Sequence, residues 1–120
     1  MDPRRPPARL LEWRSMSKNS LLGFAKIQFT SGLIMGEIAV QRSGNRVWAS
    51  PPARPWIEDD ALVRDHRGRP RYQSLIDFAN HGVRASWNRQ VLRAVRAEHP
   101  DLFKDIDDNH TGSVHLFPPG

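Results

Sequence analysis

The sequence predicts an α+β domain: a small antiparallel sheet of about five strands packed on one C-terminal helix. Two stretches carry that expectation. Residues 20–41 alternate apolar and polar side chains on either side of Thr30-Ser31-Gly32, the pattern of a β-hairpin. Residues 82–99 change to helical spacing, with Val83, Trp87, Val91, Ala94 and Val95 on one stripe until Pro100 ends the run.

Residues 1–8, rich in Pro and Arg, read as an extended basic arm with Arg4 and Arg5. The stretch 9–17 is a first strand, with Leu11 and Trp13 against the polar set Glu12 and Arg14, and Lys18-Asn19-Ser20 turns it into the hairpin. In the hairpin, Ala25, Ile27 and Phe29 alternate with Lys26, Gln28 and Thr30; Ile34, Ile38 and Val40 share a face, with Glu37 on the other. Ser43-Gly44-Asn45 is the next turn and 46–49 a fourth strand. Its Trp48 is expected in the core, with base stacking as the alternative.

Pro51, Pro52 and Pro55 exclude a central strand and favour an edge or an ordered loop. Arg54, held on that stiff backbone, suits a phosphate or a salt bridge to Glu58 or Asp59. Residues 58–68 show no period and read as an exposed loop. Residues 69–79 return to alternation as a fifth strand, with Tyr72, Ser74, Ile76 and Phe78 opposite Arg71, Gln73, Leu75 and Asp77. Asn80 caps the helix, whose Arg89, Arg93 and Arg96 fall opposite the apolar stripe. The domain is expected to span 9–99, followed by an acidic, disordered tail over 100–120 that ends in an apolar tip, Leu116-Phe117.

The totals narrow the function. With no cysteine among 120 residues, disulfides, thiolate metal sites and Cys nucleophiles are excluded. No apolar run reaches the length of about 20 residues that spans a bilayer, and the N-terminus lacks the apolar segment of a secretory signal, so the expectation is a cytoplasmic protein without membrane contact. Residues 1–99 carry 17 basic against 9 acidic side chains, or +8, whereas residues 100–120 carry −3. A basic body attracts a polyanion; codon bias toward Arg, 15 of the 18 basic residues, is the plainer source of the same excess. His66, His81, His99, His110 and His115 accompany no recognisable nucleophile and base, and no glycine-rich phosphate loop or HExxH occurs. Asp59, Asp60, Asp65 and His66 lack a ligand spacing, so no metal, cofactor or catalytic residue is expected.

Three stretches together resemble the stage V sporulation protein G (septation regulator) family, in the variants carried by proteobacterial chromosomes and mobile elements. They are LLGFAKIQFTSGLIMGEIAV, RVWASPPARP and RPRYQSLIDFANHGVRASWNRQVLRAV, covering about residues 9–99. The resemblance implies a β-sheet on a C-terminal helix, dimerisation through strands, and DNA or RNA binding as a bacterial regulator. It carries Arg54, Arg84 and Arg89 over as binding residues. The 58–65 segment is longer and more acidic than in short members, and the acidic tail is outside the shared pattern.

Charge and resemblance converge on a homodimeric nucleic-acid-binding regulator. Arg54, Arg69, Arg71, Arg84, Arg89, Arg93 and Arg96 are expected on phosphates, with Tyr72 or Trp56 stacking on bases. The rival, also without catalysis, is a protein-binding inhibitor or adaptor using Trp56, a sheet edge, or Leu116 and Phe117. If the tail competes for the basic face, deleting 101–120 should tighten nucleic-acid binding.

Overall fold

A computed structural model describes residues 7–106. Strands β1 (Arg9–Lys18), β2 (Leu21–Gln28), β3 (Ile34–Ser43) and β4 (Arg46–Ser50) form an antiparallel meander in that order. Helix α1 (His81–Glu98) packs across one face, against β4, β1 and β2. The architecture is therefore α+β, with the predicted hairpin at the centre of the sheet.

Alternation decides which side chains meet the helix. Ile27, Ile38 and Val40 from the sheet and Val91 and Val95 from the helix are fully buried in one cluster. Each such side chain contributes about 1.5–3 kcal/mol through removal from water. At its start α1 is capped by Asn80, whose Oδ1 accepts from the Val83 N–H at 2.9 Å. Asn88, one helical face round, accepts the Ala49 N–H of β4 at 2.8 Å. A strand donor with no ladder partner is thereby satisfied from the helix.

Two bulges shift the expected alternation. Leu10 pairs with Ile27 and Glu12 with Lys26, so Leu11 is the extra residue of β1. Leu10 and Trp13 consequently pack on the core while Leu11 is exposed, which corrects the expected Leu11–Trp13 face. In β3, Ala25 pairs with Ile38 but Ile27 with Met35, leaving Gly36 and Glu37 opposite Lys26, with Glu37 at φ 53°. Met35 therefore turns inward and Ile34 outward, the reverse of the simple period-two reading.

Trp48 is buried, but register places it on the sheet face away from α1: it pairs with Gln41, while Val47 and Ala49 join the helix-facing cluster. Gly23 lies under Trp13, whose nearest ring carbon is 2.6 Å from where a Cβ would stand. A diagonal aromatic covering a strand glycine is a known way to close the gap it leaves.

The chain between β4 and α1 departs most from expectation. The fifth strand does not join the sheet. Only β8 (Tyr72–Ser74) is extended there, and it pairs with β5 (Ala53–Pro55) in a separate ribbon. Pro51 and Pro52 cannot donate to a ladder, so the chain leaves the sheet at Ser50. Residues 58–68 are not an irregular loop but two hydrogen-bonded turns. β6 (Ile57–Glu58) and β7 (Ala61–Leu62) close around Asp59 and Asp60, both left-handed at φ 50° and 64°, as a two-residue hairpin turn requires.

At the other end the fold continues beyond the expected boundary at residue 99. A 3₁₀ turn over Pro100–Phe103 brings Phe103 and Ile106 into the core, and the Arg42 Nη1 donates to the Leu102 carbonyl at 3.1 Å. Apolar burial of two side chains outweighs the local acidity that suggested disorder. Leu116 and Phe117, and the acidic stretch from residue 107, lie outside the described residues.

Candidate nucleic-acid interface

The expected arginines fall on two structures, an arm and a helix face. The arm's stem is the β5–β8 ribbon. Above it, three backbone bonds form a ring: Trp56 N–H to Arg71 O at 2.8 Å, Arg71 N–H to Val63 O at 2.9 Å, and Val63 N–H to Trp56 O at 2.8 Å. From that junction two prongs diverge. One is the β6–β7 hairpin tipped by Glu58, Asp59 and Asp60; the other is a loop over residues 64–70 carrying Arg64, Arg67 and Arg69.

The basic loop is built by Asp65. Its Oδ1 accepts the N–H groups of Arg67 at 2.8 Å and Arg69 at 3.0 Å, and its carbonyl accepts from Gly68 at 3.0 Å. Gly68, at φ 79°, takes the left-handed position that follows such a turn. Those amide bonds, Arg69's first and Arg67's second, hold the Asp65 carboxyl below its ordinary pKa. Arg64 closes the loop by donating to the Gly68 carbonyl at 2.9 Å. The sequence signal for this turn is Asp-His-Arg-Gly, which stands among residues that lack any hydrophobic period.

Register sorts the stem residues. Arg54 pairs with Gln73 and Pro55 with Tyr72, so Arg54, Trp56, Arg71 and Gln73 share one face and Tyr72 occupies the other. The two aromatics expected to stack on bases are therefore on opposite faces. The Arg71 guanidinium lies 4.8 Å from the Trp56 ring centre, over one of its faces, whereas Tyr72 is 62% exposed. Arg54 makes neither of the salt bridges considered for it among the described residues.

On the helix, Trp87, Val91, Ala94 and Val95 are buried as their spacing predicts, together with Ala85 and Leu92. Val83 is 48% exposed, because it lies too far round the helix from the centre of the buried arc. Arg89 and Arg93 are exposed, one turn apart, and no hydrogen bond or ion pair holds either among the described residues. Arg84 and Arg96 are half-buried, their guanidiniums 5.4 Å from the Phe78 ring centre and 5.6 Å from that of Phe103.

The outer face of the sheet is committed to contacts among its own side chains. Arg14 pairs with Glu37 at 3.0 Å and lies over Phe24, Lys26 approaches Glu12 at 4.0 Å, and Arg9 donates to Gln28 at 3.4 Å. Among the described residues no group of three His, Cys, Asp or Glu side chains could hold a metal ion, and no helix is long and apolar enough to cross a membrane. Compared with protein families, curated proteins and solved structures, the chain matches none.

Proposed function

We propose that this chain is a small nucleic-acid-binding regulator, akin to the septation-regulator family, whose primary phosphate contacts are Arg89 and Arg93. The observation that carries this reading is an uncompensated repulsion. From His81 to Ala97 the helix has four arginines and no acidic residue, and Arg89 and Arg93 face each other at the (i, i+4) spacing. Like charges so placed cost a few tenths of a kcal/mol. No carboxylate relieves the pair among the described residues, and an external polyphosphate would. Arg84 and Arg96 lie over the Phe78 and Phe103 rings and are not among these primary contacts.

Fluorescence anisotropy with labelled single- and double-stranded oligonucleotides tests this. Binding should weaken steeply with salt, and Arg89→Ala with Arg93→Ala should lower the logarithmic salt slope by about 2. Absence of binding to any of these probes at low salt would sink it.

A second reading, a protein-binding adaptor, draws support from a mostly apolar groove between the β2–β3 turn and α1. Phe29, Leu33, Val83 and Trp87 line it, and Leu33 is 55% exposed. A nuclease-insensitive stoichiometric partner, released by Leu33→Asp, is its expected signature.

A further inference from the structure

We propose that the arm is an interaction surface for the arm of a second copy of this chain, the acidic prong of each seating against the basic loop of the other. The proposal stands on the arm alone and is independent of the nucleic-acid reading. It also differs from pairing through strand edges, which the family resemblance implies.

Charge segregation is the first observation. Glu58, Asp59 and Asp60 occupy one tip, and Arg64, Arg67 and Arg69 the other prong of the same arm. Over residues 53–75 five arginines nearly balance four acids, so the arm is a dipole and not a basic probe. Within one chain the poles do not meet: no ion pair joins Glu58, Asp59 or Asp60 to an arginine among the described residues. Two such arms related by a two-fold axis satisfy both poles twice over, because an isologous contact repeats every pairing. A polyphosphate seated on the same arm would bring the three acidic side chains of the other tip toward its phosphates.

Apolar exposure is the second observation. Ile57 and Leu62, directly paired across the acidic prong, are 60% and 42% exposed, and Leu75 at the stem is 55% exposed. None of the arm's strands packs broadly on the sheet or α1, so the protein's own body does not cover these side chains. The third is rigidity. Asp65 and Gly68 fix the basic loop, and the Trp56–Val63–Arg71 ring fixes the angle between the prongs, so little conformational freedom remains to be lost on association.

Light scattering on the full chain, with complementary charge reversals, tests the proposal. Glu58→Lys with Asp59→Asn and Asp60→Gly makes the first prong basic while keeping a favoured turn; Arg67→Glu with Arg69→Glu makes the loop acidic. The wild type should have the mass of two chains at low salt and dissociate as salt rises. Each variant alone should weaken self-association at least about tenfold, and an equimolar mixture should restore a heterodimer. Circular dichroism should be unchanged, since the substitutions lie off the core. A monomeric wild type, a variant that keeps the dimer, or a mixture that stays monomeric overturns the proposal. So does loss of nucleic-acid affinity in the Arg67/Arg69 variant with its mass unaltered, which would assign the loop to polyphosphate. Failure of the Arg89/Arg93 binding test leaves these masses unaffected.

Discussion

Gly23 illustrates how one residue sets local geometry. A Cβ there would stand 2.6 Å from the Arg14 carbonyl and 2.6 Å from the Trp13 ring, and a backbone atom cannot swing aside. Gly23→Ala should therefore destabilise the fold by roughly 1–3 kcal/mol, read as a lower urea midpoint. Asp65 acts through protonation. Its folded pKa is lowered by the Arg69 and Arg67 amides, so its contribution is complete above the ordinary carboxylate range and disappears as pH falls through the lowered value. Amide exchange at Arg67 and Arg69 should accelerate only in that acid window; in Asp65→Asn, which cannot ionise, exchange should lose that acid transition. At the opposite tip, Asp60 sits in the left-handed region at φ 64°, where glycine is free of steric cost. Asp60→Gly should slow exchange at the β6–β7 hairpin, corresponding to up to about 1 kcal/mol.

Elements with a long, clean period were legible from the chain: the hairpin of β2 and β3, the helix, its Asn80 cap and most of its buried arc. Residue-level facing was less so. A bulge adds one residue to one strand and reverses everything beyond it, and neither Leu11 nor the Gly36-Glu37 pair announces this by type. The arm was harder still, because its strands are two or three residues long and bury little, leaving hydrophobic alternation with nothing to record. Among the expected site residues, Arg89 and Arg93 share the outer helix face, while Trp56 and Tyr72 are separated by a register that only the β5–β8 pairing defines. At this scale Asn88 couples α1 to β4. Asn88→Ala leaves the Ala49 N–H without its acceptor and should cost about 1–3 kcal/mol, measured by thermal unfolding.

For the whole molecule, the boundary near residue 99 gave way because Phe103 and Ile106 fill the core from beyond it. Phe103→Ala should cost about 3–5 kcal/mol by chemical unfolding, and a chain ending at residue 100 should fail to fold. Deleting the acidic tail to free the basic face must therefore begin at residue 107, since removal from residue 101 would take core side chains with it. The ring of bonds joining Trp56, Val63 and Arg71 has a kinetic corollary. Its partners are separated by at most 15 residues of chain, so closing it sacrifices little loop entropy and asks nothing of the body. The arm accordingly behaves as its own cooperative opening unit: under native conditions those three amides should exchange together, at a lower opening free energy than Ile27 or Val40, and recover first when denaturant is withdrawn.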